Sequence, residues 1–149
     1  MTATAGLLHH VELYVSDLAR SRVFWAWFLG ELGYTLYQEW NEGVSYKLAA
    51  TYIVLVQAEP VYRDAGYHRK RPGLNHLAFH ATDRAQVDRL AAQLSDHGGT
   101  LLYQETHPYA GGSGYYALFC EDPDRIKVEL VGPDQGTESE SPGEGLTDM

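Results

Sequence analysis

Cysteine is nearly absent from this sequence: Cys120 stands alone among 149 residues. One thiol cannot close an intrachain disulfide, so a disulfide-stapled scaffold is excluded and a reducing, cytoplasmic location is expected. Long apolar runs are missing too. No stretch approaches the roughly 18 consecutive apolar residues that a membrane span needs, so no membrane partner is expected. The first residues, Met1 to Leu8, show neither the basic segment nor the apolar segment of a signal peptide. Basic residues are scarce. Eleven Lys and Arg against twenty Asp and Glu give a formal net charge of −9, which disfavours nucleic-acid binding, since that runs on basic patches.

What is present is core material. The chain is 44% hydrophobic and 12% aromatic, too apolar for a wholly disordered polymer. Its length suits one domain, or two small modules. The acid is concentrated at the end. Residues 133–149 hold five acidic residues and no basic or aromatic one, which predicts a disordered, solvated tail rather than a partner-binding arm.

The remainder repeats itself at an offset of 66 residues: His10 falls on His76, Asp17 on Asp83, Gly33 on Gly99. Apolar positions match between these anchors, as in Val11 with Leu77, Leu13 with Phe79, and Phe28 with Leu94. Each copy opens on an alternating run, His10–Val15 and His76–His80, which predicts a half-buried strand. A helical stripe follows. In the first copy it spans about Asp17–Leu29, with Gly30 as its stop; in the second, Asp83 and Gln86 form a capping box and Gly98-Gly99 ends the helix. Three more strands are predicted in each copy, near 35–40, 44–48 and 52–57, then near 101–104, 115–120 and 127–131. The unit is β-α-β-β-β, used twice. The fold class is therefore α+β: two tandem βαβββ modules, 1–60 and 74–132, joined by a linker at 61–73, with sheets that carry their helices on the outer face.

Alternation separates the two faces of each strand. Val11, Leu13 and Val15 face the core on the first strand, leaving His10, Glu12 and Tyr14 opposite. Leu77 and Phe79 are core on the fifth, leaving His76, Ala78 and His80. Val128 and Leu130 are core on the last, leaving Lys127, Glu129 and Val131. Two imidazoles and a carboxylate, His10, His76 and Glu129, thus stand on the non-helix faces. That donor set suits Zn, Fe, Mn or Ni and leaves coordination positions open for catalysis.

The sequence here resembles the vicinal oxygen chelate superfamily, which includes glyoxalase I, fosfomycin-resistance thiol transferases, extradiol dioxygenases, epimerases and bleomycin-binding proteins. The segments that carry the resemblance are His10–Leu18, Phe24–Gly33, Gly73–Phe79 and Asp122–Val131, and with their spacing they cover about residues 7–132. The resemblance implies paired βαβββ modules forming a cupped mixed sheet around a divalent metal. It places the ligands at His10, His76 and Glu129, and it implies a homodimer in which a site can draw ligands from both chains. A small, oxygen-rich substrate would bind that metal.

Departures from the superfamily's branches narrow the choice. Glyoxalase I-like members use a fourth ligand on the fourth strand, where this chain offers only Gln57, at the strand end. The basic phosphonate loop of the fosfomycin enzymes has no counterpart in 104–114, and Glu12 replaces their hydroxyl residue. Extradiol dioxygenases would show a Tyr where Phe119 stands, and His107 comes several residues too early for their His.

Further residues take secondary roles. Glu12, two residues from His10, is the candidate acid/base group, with a solvated carboxylate as the plainer alternative. His80, His107, Tyr109 and Tyr115 are candidate substrate contacts, the last three flanking the flexible run Gly111-Gly-Ser-Gly114. Arg63, Arg69, Lys70 and Arg71 read as a charged, solvated linker. The competing function is a metal-free binding protein of the drug-sequestering kind, its cup walled by Tyr14, Tyr46, Tyr109, Tyr115 and Trp40.

Overall fold

The computed structural model describes residues 4–135, so the predicted tail lies, from residue 136 onward, outside the described residues. The chain divides into two compact units between Tyr67 and His68.

In the first unit, strand β1 (His10–Val15) leads into helix α1 (Leu18–Glu31), followed by β2 (Thr35–Trp40), β3 (Gly43–Leu48) and β4 (Thr51–Gln57). The sheet order is β1-β4-β3-β2, with β1 parallel to β4 and the other pairs antiparallel. A side-chain oxygen of Asp17 accepts from the backbone N–H of Arg20 and caps α1, satisfying one of the donors that a helix start leaves unpaired. The helix lays Phe24, Trp25, Phe28 and Leu29 against β3 and β4, whose Val44, Ile53 and Leu55 are also buried. Gly30 does not end α1, as the sequence predicts. The helix runs one residue past it, and the left-handed turn falls on Gly33, at φ +100°. Gly30 had no need of special backbone geometry, whereas that conformation strains any residue with a Cβ.

A short helix, α2 (Pro60–Arg63), which the sequence reading leaves as linker, begins on the proline whose fixed φ favours a first helical turn.

The second unit repeats the plan with β5 (His76–His80), α3 (Arg84–Gln93), β6 (Thr100–Leu101), β7 (Ala117–Glu121) and β8 (Lys127–Val131), ordered β5-β8-β7-β6. Asp83 caps α3 through the N–H of Gln86, at 2.8 Å, as its repeat partner Asp17 caps α1. A turn of 3-10 helix, Leu94–His97, follows and ends on left-handed Gly98. Both helix-end glycines are used, but the second lies one position earlier than the repeat anchor Gly99. Strand β6 is shorter than predicted and β7 starts at Ala117, because 102–116 forms a loop tied by its own backbone hydrogen bonds, such as His107 N–H to Tyr103 C=O. Val87, Leu90 and Leu94 pack on the β7–β8 face that carries Leu118, Cys120, Val128 and Leu130, all buried. The opposite face carries Phe119, Glu121, Lys127 and Glu129. Among the described residues no helix is long and apolar enough to cross a membrane.

Candidate functional site

The second module brings three of the predicted residues together. His76 begins β5 and Glu129 lies near the middle of β8. Parallel pairing sets His76 against Lys127 and Ala78 against Glu129, so the imidazole and the carboxylate share one face. His76 Nε2 lies 3.1 Å from Glu129 Oε1. The other carboxylate oxygen accepts from the Tyr115 hydroxyl. Glu129 is buried and His76 only partly so.

The tautomer of His76 is set from its far side. His76 Nδ1 is 2.7 Å from Asn75 Oδ1, and the Asn75 amide nitrogen donates to the Arg69 carbonyl. The amide therefore turns its oxygen to the ring, and Nδ1 must carry the hydrogen. In a neutral ring that leaves a lone pair on Nε2, facing a carboxylate oxygen. Two acceptors at that separation repel unless a cation or a proton lies between them. An imidazole nitrogen and a carboxylate oxygen are donor types that would suit a divalent metal. An amide oxygen holding Nδ1–H is also the outer support that metal-bound histidines commonly have.

Tyr115 has its pKa raised, first by burial and then by its hydrogen bond to Glu129, so the phenol stays protonated and keeps donating. The ring also fills the space that a Cβ at Gly111 would need, which fixes glycine there.

His107 and Tyr109 are grouped elsewhere. Tyr109 packs edge-on against Tyr116, whose hydroxyl donates to Asp88. Burial lowers the His107 pKa, and Asp88 partly offsets this. Among the described residues neither contacts His76 or Glu129. His80 is exposed at the end of β5.

In the first module His10 stacks flat on Tyr52, its register partner on β4, with centroids 4.7 Å apart. Its Nδ1 lies 2.9 Å from His9 Nδ1. Glu12 is exposed and makes no ion pair among the described residues, so its charge is carried by solvent. Gln57 is fully engaged: Oε1 accepts from Leu18 N–H at 2.9 Å, while Nε2 donates to the Ser16 and Ala58 carbonyls. The amide ties the end of β4 to the start of α1 and is not a spare metal donor. Gln57→Ala is expected to lower unfolding stability by about 1–3 kcal/mol, because it strands part-buried backbone groups. Urea denaturation with an unchanged m-value would show it. Among the described residues no three His, Cys, Asp or Glu side chains are gathered around one point.

Comparison with known proteins identifies the architecture. The model of the Glyoxalase/Bleomycin resistance protein/Dioxygenase superfamily matches residues 7–130. The chain belongs to this superfamily. It is 58% identical over 126 residues to YqjT of Bacillus subtilis (strain 168), a protein itself uncharacterized, covering 85% of this chain and 98% of that one. A solved structure from Bacillus halodurans, provisionally assigned as a glyoxalase, is 55% identical, with a TM-score of 0.84 over 87% of this chain and 97% of that one. A glyoxalase/bleomycin resistance protein from Albidiferax ferrireducens T118 shares the fold at 22% identity and a TM-score of 0.66, covering 86% and 99% of the two chains.

Sequence reasoning about this superfamily member missed Asn75, although it directly precedes His76 and is the kind of residue that orients a ligand. It also read Arg69 as a solvated linker charge. Arg69 instead pairs with Glu121 at 2.7 Å, both side chains largely buried. No local signal in 61–73 separates Arg69 from its basic neighbours. Cys120 is inert: burial raises its pKa, with the charges of Asp122 and Glu121 adding to the effect.

Proposed function

We propose that this superfamily member is a metal-dependent enzyme acting on a small, oxygen-rich substrate. The observation that carries the reading is the Nε2 atom of His76, which faces Glu129 Oε1 at 3.1 Å while Asn75 occupies Nδ1. His76 and Glu129 would hold the metal, Fe, Mn, Zn or Ni, with a His10 from a second copy of the chain as the third donor. When bound, the ion acts as a Lewis acid toward two neighbouring substrate oxygens. Asn75 orients His76, and Tyr115 holds Glu129 by one oxygen, leaving the other for the ion. Glu12 is the acid/base group, and His80, His107, Tyr109 and Tyr115 are available to substrate.

A homodimer belongs to the same reading. Leu7, Leu8 and Tyr14 are each about two-thirds exposed at or before β1, more apolar surface than one short segment usually leaves to water. A second copy would cover it and could donate a His10. The lone, buried cysteine suits the cytoplasm.

Metal content by mass spectrometry tests the proposal, on protein purified without affinity tag or chelator. About one transition metal per chain is expected in the wild type, and below about a tenth of that in His10→Ala and in Glu129→Ala. A wild type that stays metal-free after anaerobic reconstitution would overturn the reading. It would favour the second one, a metal-free binding protein, which the exposed aromatic group around Tyr37, Tyr52 and His10 supports.

A further inference from the structure

His10 and His76 occupy equivalent places in the two modules, and so do the residues just before them. At the offset of 66, His9 falls on Asn75. In the second module Asn75 Oδ1 lies 2.7 Å from His76 Nδ1. In the first, His9 Nδ1 lies 2.9 Å from His10 Nδ1. Two different side chains thus bring a polar atom to the same ring nitrogen from the same position in the repeat. Alternation sends neighbouring strand residues to opposite faces, but His9 and Asn75 each stand one residue ahead of their strands, where that rule does not bind them. The His10 ring is also held by its face. It lies flat on Tyr52, its register partner, with 3° between the planes. His9 stands edge-on to both rings, 5.2 Å from His10 and 5.4 Å from Tyr52. The stack fixes the plane of the imidazole, and a hydrogen bond at Nδ1 fixes its rotation within that plane. Together they fix the direction in which Nε2, across the ring, points.

We infer that His9 is a positioning residue for His10, as Asn75 is for His76, so that each module carries its own support one residue ahead of its histidine. Two neutral imidazoles share a single hydrogen at such a contact. When His10 donates it, His9 Nδ1 accepts, and the lone pair of His10 stays on Nε2. That is the state a metal-binding histidine needs, its other nitrogen donating to a fixed acceptor. The inference rests on the metal reading for the use made of Nε2, but not for the hold on the ring.

Two measurements on the wild type, His9→Ala and His9→Asn test it. Proton NMR of metal-free protein with carbon-13-labelled histidine reads the hold, the His10 ring signals being assigned by their loss in His10→Gln. Competition for zinc against a chromophoric chelator reads its use. Spectra are taken at about pH 8.5, two units above the ordinary imidazole pKa, so that the rings are neutral. The backbone bond from Tyr52 N–H to the His9 carbonyl, at 3.2 Å, does not involve the substituted side chain, so β1 should keep its place in every variant. In the wild type the Tyr52 ring current is expected to shift the His10 ring protons upfield. His9→Ala should lose most of that shift and bind zinc about 10–100-fold more weakly. His9→Asn, which gives the first module the side chain of the second, should restore both. A His10 ring that keeps its full shift in His9→Ala overturns the hold. Equal zinc affinity in the wild type and His9→Ala overturns the positioning role. His9→Asn behaving like His9→Ala overturns the equivalence of the two modules. A wild type that takes up no zinc overturns the metal reading, and the NMR comparison then still decides whether His9 holds His10.

Discussion

Replacing His76 by alanine is expected to lower metal affinity by more than about 100-fold, while Asn75→Ala lowers it by about 10–100-fold. The gradation follows from geometry. In the proposed site His76 would supply a donor atom, and its removal would leave Glu129 as the single ligand from the second module. Asn75 supplies none, but its Oδ1, 2.7 Å from Nδ1, holds the ring with Nε2 directed at Glu129, 3.1 Å away. Without Asn75 the ring can rotate or change tautomer, and part of each binding event goes into restoring it. Competition against a chromophoric chelator separates the two losses. Neither variant should unfold, because neither side chain belongs to the apolar core. If Asn75→Ala binds metal as tightly as the wild type, the amide does not set the tautomer and the central argument for the site fails.

The largest loss of stability is expected at Phe24. Its ring is fully buried and touches three others on the same helix: Trp25 edge-on at 5.2 Å, Trp27 at 5.9 Å, and Phe28 stacked at 5.6 Å. Truncating a ring so enclosed loses its transfer energy and leaves a cavity that rigid aromatic neighbours close poorly. Phe24→Ala should cost about 3–5 kcal/mol, a large part of the roughly 5–15 kcal/mol that holds a domain folded. A shift of the urea midpoint at constant m-value would record it. A loss under about 1 kcal/mol would mean that the aromatic group repacks and does not anchor α1 to its sheet.

The fold was legible because its signals are local and repeated. Asp17 and Asp83 both announce helix starts, and the alternation in His10–Val15 and His76–His80 assigns strand and face together. The gathering of His76 with Glu129 was legible for the same reason, since parity along two strands places both side chains on one face. The partners that tune those groups were not. Asn75 acts through a side-chain hydrogen bond that no periodicity encodes, and the Tyr115 hydroxyl reaches Glu129 from a loop whose path depends on backbone turns within 102–116. The role of Gln57 was hidden likewise. Its strand position suggested a donor for a metal, whereas its amide is spent on Ser16, Leu18 and Ala58. Parity tells which way a side chain leaves the backbone, but not what waits at its end.

The strand order has a consequence for synthesis on the ribosome. In both modules the opening strand pairs with the closing one, β1 with β4 and β5 with β8. A newly made β1 therefore has no sheet partner until Thr51–Gln57 has left the exit tunnel, and its apolar side chains wait in the open meanwhile. The first sheet then has every strand it needs before His76 emerges. The β5 strand repeats the wait until Lys127–Val131 emerges. Such non-local closure slows folding, and the late pairing of β5 with β8 is the interval in which a chaperone has most to cover.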